Sequence, residues 1–137
     1  ALKQQTHVPK WLIQYLLDRC YPWTPRVRDG EGSAKFVPLC VQAMRIGDIG
    51  LVGWGAEVFT ELGLEVKEAS PASMTLFAGY CDGMIGYVTT EQAHSEGGYE
   101  VEMSPYLYRF PGKFDASSAR RATETSGKLL RALFDSA

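Results

Sequence analysis

Val37-Pro38-Leu39-Cys40-Val41-Gln42-Ala43-Met44-Arg45-Ile46-Gly47-Asp48-Ile49-Gly50-Leu51-Val52-Gly53-Trp54 is the stretch on which the fold turns. Val37, Leu39, Val41 and Ala43 alternate with Cys40, Gln42 and Met44, and both sets are largely apolar, so residues 36–46 read as a strand covered on two faces. Gly47-Asp48 fits a two-residue hairpin turn, with glycine taking the positive φ, and residues 49–54 return as its partner. The expectation is a buried hairpin.

Upstream, Pro9 suits the first turn of a helix. Leu12, Ile13, Leu16, Leu17 and Cys20 continue it along one face, predicting a helix over 9–20, and residues 21–35 have the Pro, Gly and charge content of an exposed connection. Downstream, Val58, Phe59, Leu62 and Val66 predict a helix over 57–69, ended at Ser70-Pro71 because the residue before proline leaves the helical region. Residues 73–80 read as a third core strand before the Asp82-Gly83 turn, and residues 85–89 as a short extended piece. Gly97-Gly98 breaks a polar segment, and residues 103–113 show no periodicity and read as irregular. A last helix, capped by Asp115 or Ser117, reaches about residue 134 with Ala119, Ala122, Leu129, Leu130 and Leu133 on its apolar side. This order predicts an α/β fold, a layered mixed sheet with flanking helices, in a single unit spanning residues 1–137.

The chain's 137 residues, 45% hydrophobic and 22% charged, have the balance of a globular domain and leave no room for a second one. A net charge of −2 offers no field for gripping a phosphate backbone, so no nucleic-acid partner is expected. No apolar run approaches the roughly 20 residues of a membrane span, and residues 1–7 lack the pattern of a secretion signal. Cys20, Cys40 and Cys81 lie far apart without a Cys-x-x-Cys spacing and read as three buried thiols.

Three places could carry chemistry. Glu57 follows the apolar, small-residue run Leu51-Val52-Gly53-Trp54-Gly55-Ala56, where it is either a metal ligand or a helix-starting acid placed for the helix dipole. Tyr87 lies in Gly79-Tyr80-Cys81-Asp82-Gly83-Met84-Ile85-Gly86-Tyr87-Val88-Thr89-Thr90, whose glycines permit close backbone approach. It is either a cation-binding phenolate or a packed strand tyrosine. Gly97-Gly98-Tyr99-Glu100 joins a hydroxyl and a carboxylate in a pocket lining or a surface turn. His7 and His94 are the only imidazoles, so the chain cannot build a multi-histidine zinc site alone. No Ser-His-Asp set and no phosphate loop is present.

The order of these motifs is more informative than any one of them. Arg45-Ile46-Gly47-Asp48, Gly55-Ala56-Glu57-Val58-Phe59, Ser70-Pro71, Gly86-Tyr87-Val88-Thr89-Thr90 and Gly98-Tyr99-Glu100 resemble the C-terminal part of the catalytic domain of the neutral/alkaline ceramidase family, over roughly residues 36–100. The resemblance implies a zinc-dependent amide hydrolase whose ion is held by a glutamate and a tyrosine from this part, at Glu57 and Tyr87, and by two histidines from an upstream N-terminal segment absent from this chain. It places Tyr99 as the catalytic tyrosine that binds substrate or steadies the reacting amide. It implies an amide or lipid-like substrate such as ceramide; family members are often secreted or periplasmic. The sequence lacks the family's usual proline two residues before the glutamate and has Asp82 where asparagine is common. Neither His7 nor His94 falls in a segment matching the ligand histidines. The expectation is the C-terminal portion of a larger catalytic domain, contributing half of the metal site, with apolar surface left bare and oligomers possible. The alternative is a non-catalytic α/β interaction module that keeps the fold and hides that surface.

Overall fold

The computed structural model describes residues 36–135 apart from Arg109 and Pro111. The helix expected over 9–20, the connection to residue 35, His7 and Cys20 lie outside the described residues.

The hairpin forms as β1 (Val41–Ile46) and β2 (Ile49–Trp54), antiparallel, with Val41 opposite Trp54 and Ile46 opposite Ile49. Gly47 turns the chain at φ 62°, a conformation that suits a residue without Cβ. The chain then passes through a two-residue strand, β3 (Glu57–Val58), and a helix, α1 (Thr60–Glu68), before β4 (Met74–Ala78) pairs parallel to β2. A parallel pair needs such a crossover. The three-stranded sheet has the order β1-β2-β4, and β3 pairs parallel with β5 (Tyr87–Val88) in a second, two-stranded sheet. Two one-turn helices and a longer pair complete the chain: α2 (Glu91–Glu96), α3 (Tyr99–Glu102), α4 (Ser104–Leu107) and α5 (Ser118–Phe134). The mixed sheet with flanking helices is the expected architecture.

One face of the sheet carries the core. The register puts Val41, Ala43, Gly50, Val52, Trp54, Thr75 and Phe77 on it. A Cβ at Gly50 would lie 3.0 Å from Leu130 Cδ2, and one at Gly63 would lie 3.1 Å from the Phe77 ring, so both glycines let a helix seat closely on the strands. Trp54, wholly buried, packs edge-on against Phe77 with centroids 5.2 Å apart. Its indole N–H donates to Ser126 Oγ at 2.8 Å, and the Ser126 hydroxyl donates to the Ala122 carbonyl at 3.0 Å. This chain of bonds lets a polar serine sit in the core at no desolvation loss.

Several expectations need correcting. The hairpin is covered on one face only: Met44, Ile46, Met74 and Leu76 are between 52% and 59% exposed on the other. They lie side by side, because Leu51 is opposite both Met44 and Leu76, and Ile49 opposite both Ile46 and Met74. Residues 57–58 are extended rather than helical, because Glu57 N–H donates to the Gly86 carbonyl at 2.9 Å. The polar segment after Thr90 is α2, begun by the Thr90 side chain accepting from Ala93 N–H at 3.2 Å. Within the stretch read as irregular, Pro105 starts α4, whose Ser104, Pro105 and Leu107 are buried. On α5 the buried positions are Ala119, Ala122, Ser126, Gly127 and Leu130, while Leu129 faces out. Asp115 accepts from the Ser117 N–H and hydroxyl, so neither side chain caps a helical N–H of α5. Cys40 and Cys81 are half-buried free thiols, not core ones.

Ser126→Ala removes the acceptor for the buried indole N–H, and an unsatisfied buried donor costs ~1–3 kcal/mol. The expected outcome in denaturant unfolding is a loss of that size. Exchanging Leu129 for alanine on the same helix should change stability little.

Candidate functional site

The end of β2 builds the site. Past Trp54 the chain runs through Gly55 and Ala56 into β3, and residues 79–86 fold over it: Tyr80 N–H donates to the Ala56 carbonyl, Cys81 N–H to the Trp54 carbonyl, and Ile85 N–H to the Gly55 carbonyl. A Cβ at Gly55 would meet the Cys81 carbonyl oxygen at 3.1 Å, and one at Gly79 would meet the Ala56 carbonyl oxygen at 2.9 Å. Both glycines are therefore dictated by backbone meeting backbone.

β3 and β5 then bring Glu57 and Tyr87 together as direct partners of a parallel pairing, with Val58 opposite Val88. The rings of Phe59 and Tyr99 stand edge-on to Tyr87, with centroids 6.3 and 6.1 Å away. Tyr99 opens α3 and is 47% exposed. Glu57, Tyr87 and Tyr99, the three residues singled out in the sequence, thus occupy one place. His94 does not join them as a cluster, and among the described residues no group of three or more His, Cys, Asp or Glu could hold a metal ion. Glu57 and Tyr87 make two oxygen donors, short of the three protein ligands usual for catalytic zinc.

Two further tyrosines, absent from the sequence reading, converge on the same carboxylate. Tyr108 donates to Glu57 Oε1 at 2.6 Å and Tyr80 donates to Oε2 at 3.0 Å. The glycine-rich run contained Tyr80, but nothing in its spacing distinguished that ring from Tyr87. Tyr108 lay in the segment without periodicity and was reachable only through the fold. Tyr80 adopts φ 60°, in the left-handed region unusual for a side chain of its size.

Hydrogen bonding to Glu57 holds the Tyr87 phenol in its protonated form and pushes its pKa from 10.0 up to about 12; burial adds to this, as do the charge of Glu57 and the neighbouring tyrosines. Tyr80 moves up for the same first reason, its bond to Glu57. Beside this site, a cleft of about 810 Å³ is lined by Tyr87, Thr89, His94, Phe110, Phe114 and Ala119 among others.

The comparisons with known proteins point one way. No protein-family model matches the sequence. The chain is 31% identical over 87 residues to neutral ceramidase of Pseudomonas aeruginosa, across 58% of this chain and 11% of that protein. Two solved structures share the fold. One is a ceramidase complexed with C2 (TM-score 0.57, 20% identity) and the other is neutral ceramidase from Pseudomonas aeruginosa (TM-score 0.56, 22% identity). Each alignment covers 69% of this chain and 15% of the other. The chain carries a ceramidase-like region. It spans about a tenth of the length of the curated relative and corresponds to a portion of a larger ceramidase chain.

Because the folded-state pKa of Tyr87 lies above its ordinary value, the stability this phenol contributes is fully present below pH 10.0 and is lost as pH rises toward about 12. Stability measured across that window should fall more steeply for the native sequence than for Tyr87→Phe. Equal slopes would show that the phenol is not held by Glu57.

Proposed function

We propose that this chain is part of a zinc-dependent amide hydrolase of the neutral ceramidase type, acting on N-acylsphingosine or a related amide. In this reading Glu57 and Tyr87 are two of the ion's protein ligands, and two histidines from an upstream segment of a longer polypeptide complete the set. The observation that carries it is the direct pairing of Glu57 with Tyr87, with Tyr99 packed on Tyr87, inside the ceramidase-like region.

The donor chemistry fits. A carboxylate and a phenol that share a proton present two oxygens toward each other, and a cation bound by both would take that proton's place. When bound, zinc would polarise the amide carbonyl and lower the pKa of a bound water. The chain's own residues do the rest. Glu57 would supply a fixed negative charge and Tyr87, on losing its proton to solvent, an anionic oxygen, the two together holding the ion. Tyr99, packed on Tyr87, would donate its hydroxyl hydrogen to the amide oxygen as negative charge develops there, where a preorganised donor contributes most. Hydrolysis adds the hydroxyl of water to the acyl carbon and the proton to the departing nitrogen, yielding a fatty acid and a sphingoid base if the substrate is ceramide.

The bare sheet face formed by Met44, Ile46, Met74 and Leu76 supports a unit that is completed by more polypeptide over a self-contained interaction module. The chain studied alone should self-associate in light scattering, and a charged pair such as Met44→Lys with Leu76→Glu should reduce this.

Zinc retention tests the reading. A polypeptide that includes the upstream segment should hold one zinc per chain and lose both metal and amidase activity on Glu57→Gln, whereas the present chain alone should hold zinc weakly. Because Tyr87 must release a proton, zinc affinity should rise with pH through the neutral range. Tight stoichiometric zinc in the present chain alone, unaffected by Glu57→Gln, would overturn the proposal.

A further inference from the structure

We infer that Tyr108 is a positioning residue that aims the Glu57 carboxylate; this rests on the zinc-site reading above. Tyr108 is carried at the end of a buried turn of helix. It follows α4, whose Ser104, Pro105 and Leu107 are buried, and its N–H donates to the Ser104 carbonyl at 3.1 Å. Its ring lies directly against Gly86, where a Cβ would come within 2.7 Å of Tyr108 Cδ2. Gly86, at φ 85°, is also the residue whose carbonyl accepts from Glu57 N–H at 2.9 Å, and it immediately precedes Tyr87. The backbone that pairs β3 with β5 is therefore the same backbone that seats the Tyr108 ring. The hydroxyl it delivers reaches Glu57 Oε1 at 2.6 Å, shorter than the 3.0 Å bond from Tyr80 to Oε2.

Tyr80 differs in each respect. It is 66% exposed, and its hydroxyl bonds Oε2 at 3.0 Å from the solvent side. A carboxylate has about four lone-pair sites, so a donor fixed on Oε1 sets the plane of the group while leaving sites for a cation. Tyr108 acts through Glu57 and does not touch substrate.

Outer partners of ligating carboxylates typically account for about 10–100-fold in metal affinity. In the full polypeptide, Tyr108→Phe keeps the ring on Gly86 and removes only the hydroxyl. Zinc affinity, read by competition with a chromophoric chelator, should fall about tenfold or more. At limiting zinc, kcat should fall in parallel, with KM within about twofold of the native value, and saturating zinc should restore it. Tyr106→Phe, on the exposed side of α4, should leave zinc affinity unchanged. Glu57→Gln separates the two proposals. If Glu57→Gln releases zinc while Tyr108→Phe holds it as tightly as the native chain, the positioning role is overturned and the zinc site stands. If Glu57→Gln holds zinc, the site reading falls, and the positioning role falls with it.

Discussion

A parallel pairing of two residues, Glu57 with Tyr87 and Val58 with Val88, holds the candidate site together. Two residues make a weak ladder, and the pairing persists because it is buttressed on both sides. Glu57 N–H bonds the Gly86 carbonyl, Phe59 N–H the Val88 carbonyl, and residues 79–81 grip the strand end at Trp54 and Ala56. Buried Ala56 and Val88 anchor it from below. A slip of one residue would turn Glu57 to the opposite face, since strand side chains alternate. The glycines at 55, 79 and 86 remove Cβ atoms that would clash with the Cys81 and Ala56 carbonyls and the Tyr108 ring around the pair.

The pairing sets an electrostatic condition as well. The carboxylate of Glu57 is met by tyrosine hydroxyls, not by a lysine or arginine; the two salt bridges among the described residues join Lys113 to Glu102 and Arg120 to Glu91, away from it. Hydroxyl donors satisfy the oxygens without supplying a countercharge, and the pKa of Tyr87 is raised first by its hydrogen bond to Glu57, then by burial and by the charge of Glu57. A basic side chain would have satisfied the same oxygens and spent the field that a cation needs. The phenol of Tyr87 accordingly resists ionisation beside that carboxylate.

What the sequence disclosed follows from what local patterns can encode. The hairpin around Gly47, a third strand within residues 73–80 and the long last helix each have a composition, periodicity or turn residue of their own, and each was legible, although the parallel pairing of that strand with β2 was not. The start of α1 was not, because Val58 and Phe59 fit a helical face by spacing while a long-range bond from Glu57 to Gly86 holds residues 57–58 extended. The contents of residues 99–107 were hidden because one-turn helices are too short to show a period, and their stability comes from burying Val101, Ser104 and Leu107. Glu57, Tyr87 and Tyr99 could be named because they sit in ordered motifs. Tyr80 and Tyr108 could not, since contacts across 23 and 51 residues leave no trace in spacing.

The fold and the candidate site share an asymmetry. One face of the three-stranded sheet is packed by α1 and α5, yet the other carries Met44, Ile46, Met74 and Leu76 in solvent. A strand patterned for two covered faces, as β1 and β2 are, gains only part of its hydrophobic stabilisation when one face is wet. The candidate site has the matching asymmetry: two oxygen donors well positioned by backbone and tyrosines, with no imidazole among the described residues clustered beside them. Among the described residues, one sheet face thus has no covering layer and the carboxylate–phenol pair has no clustered imidazole beside it.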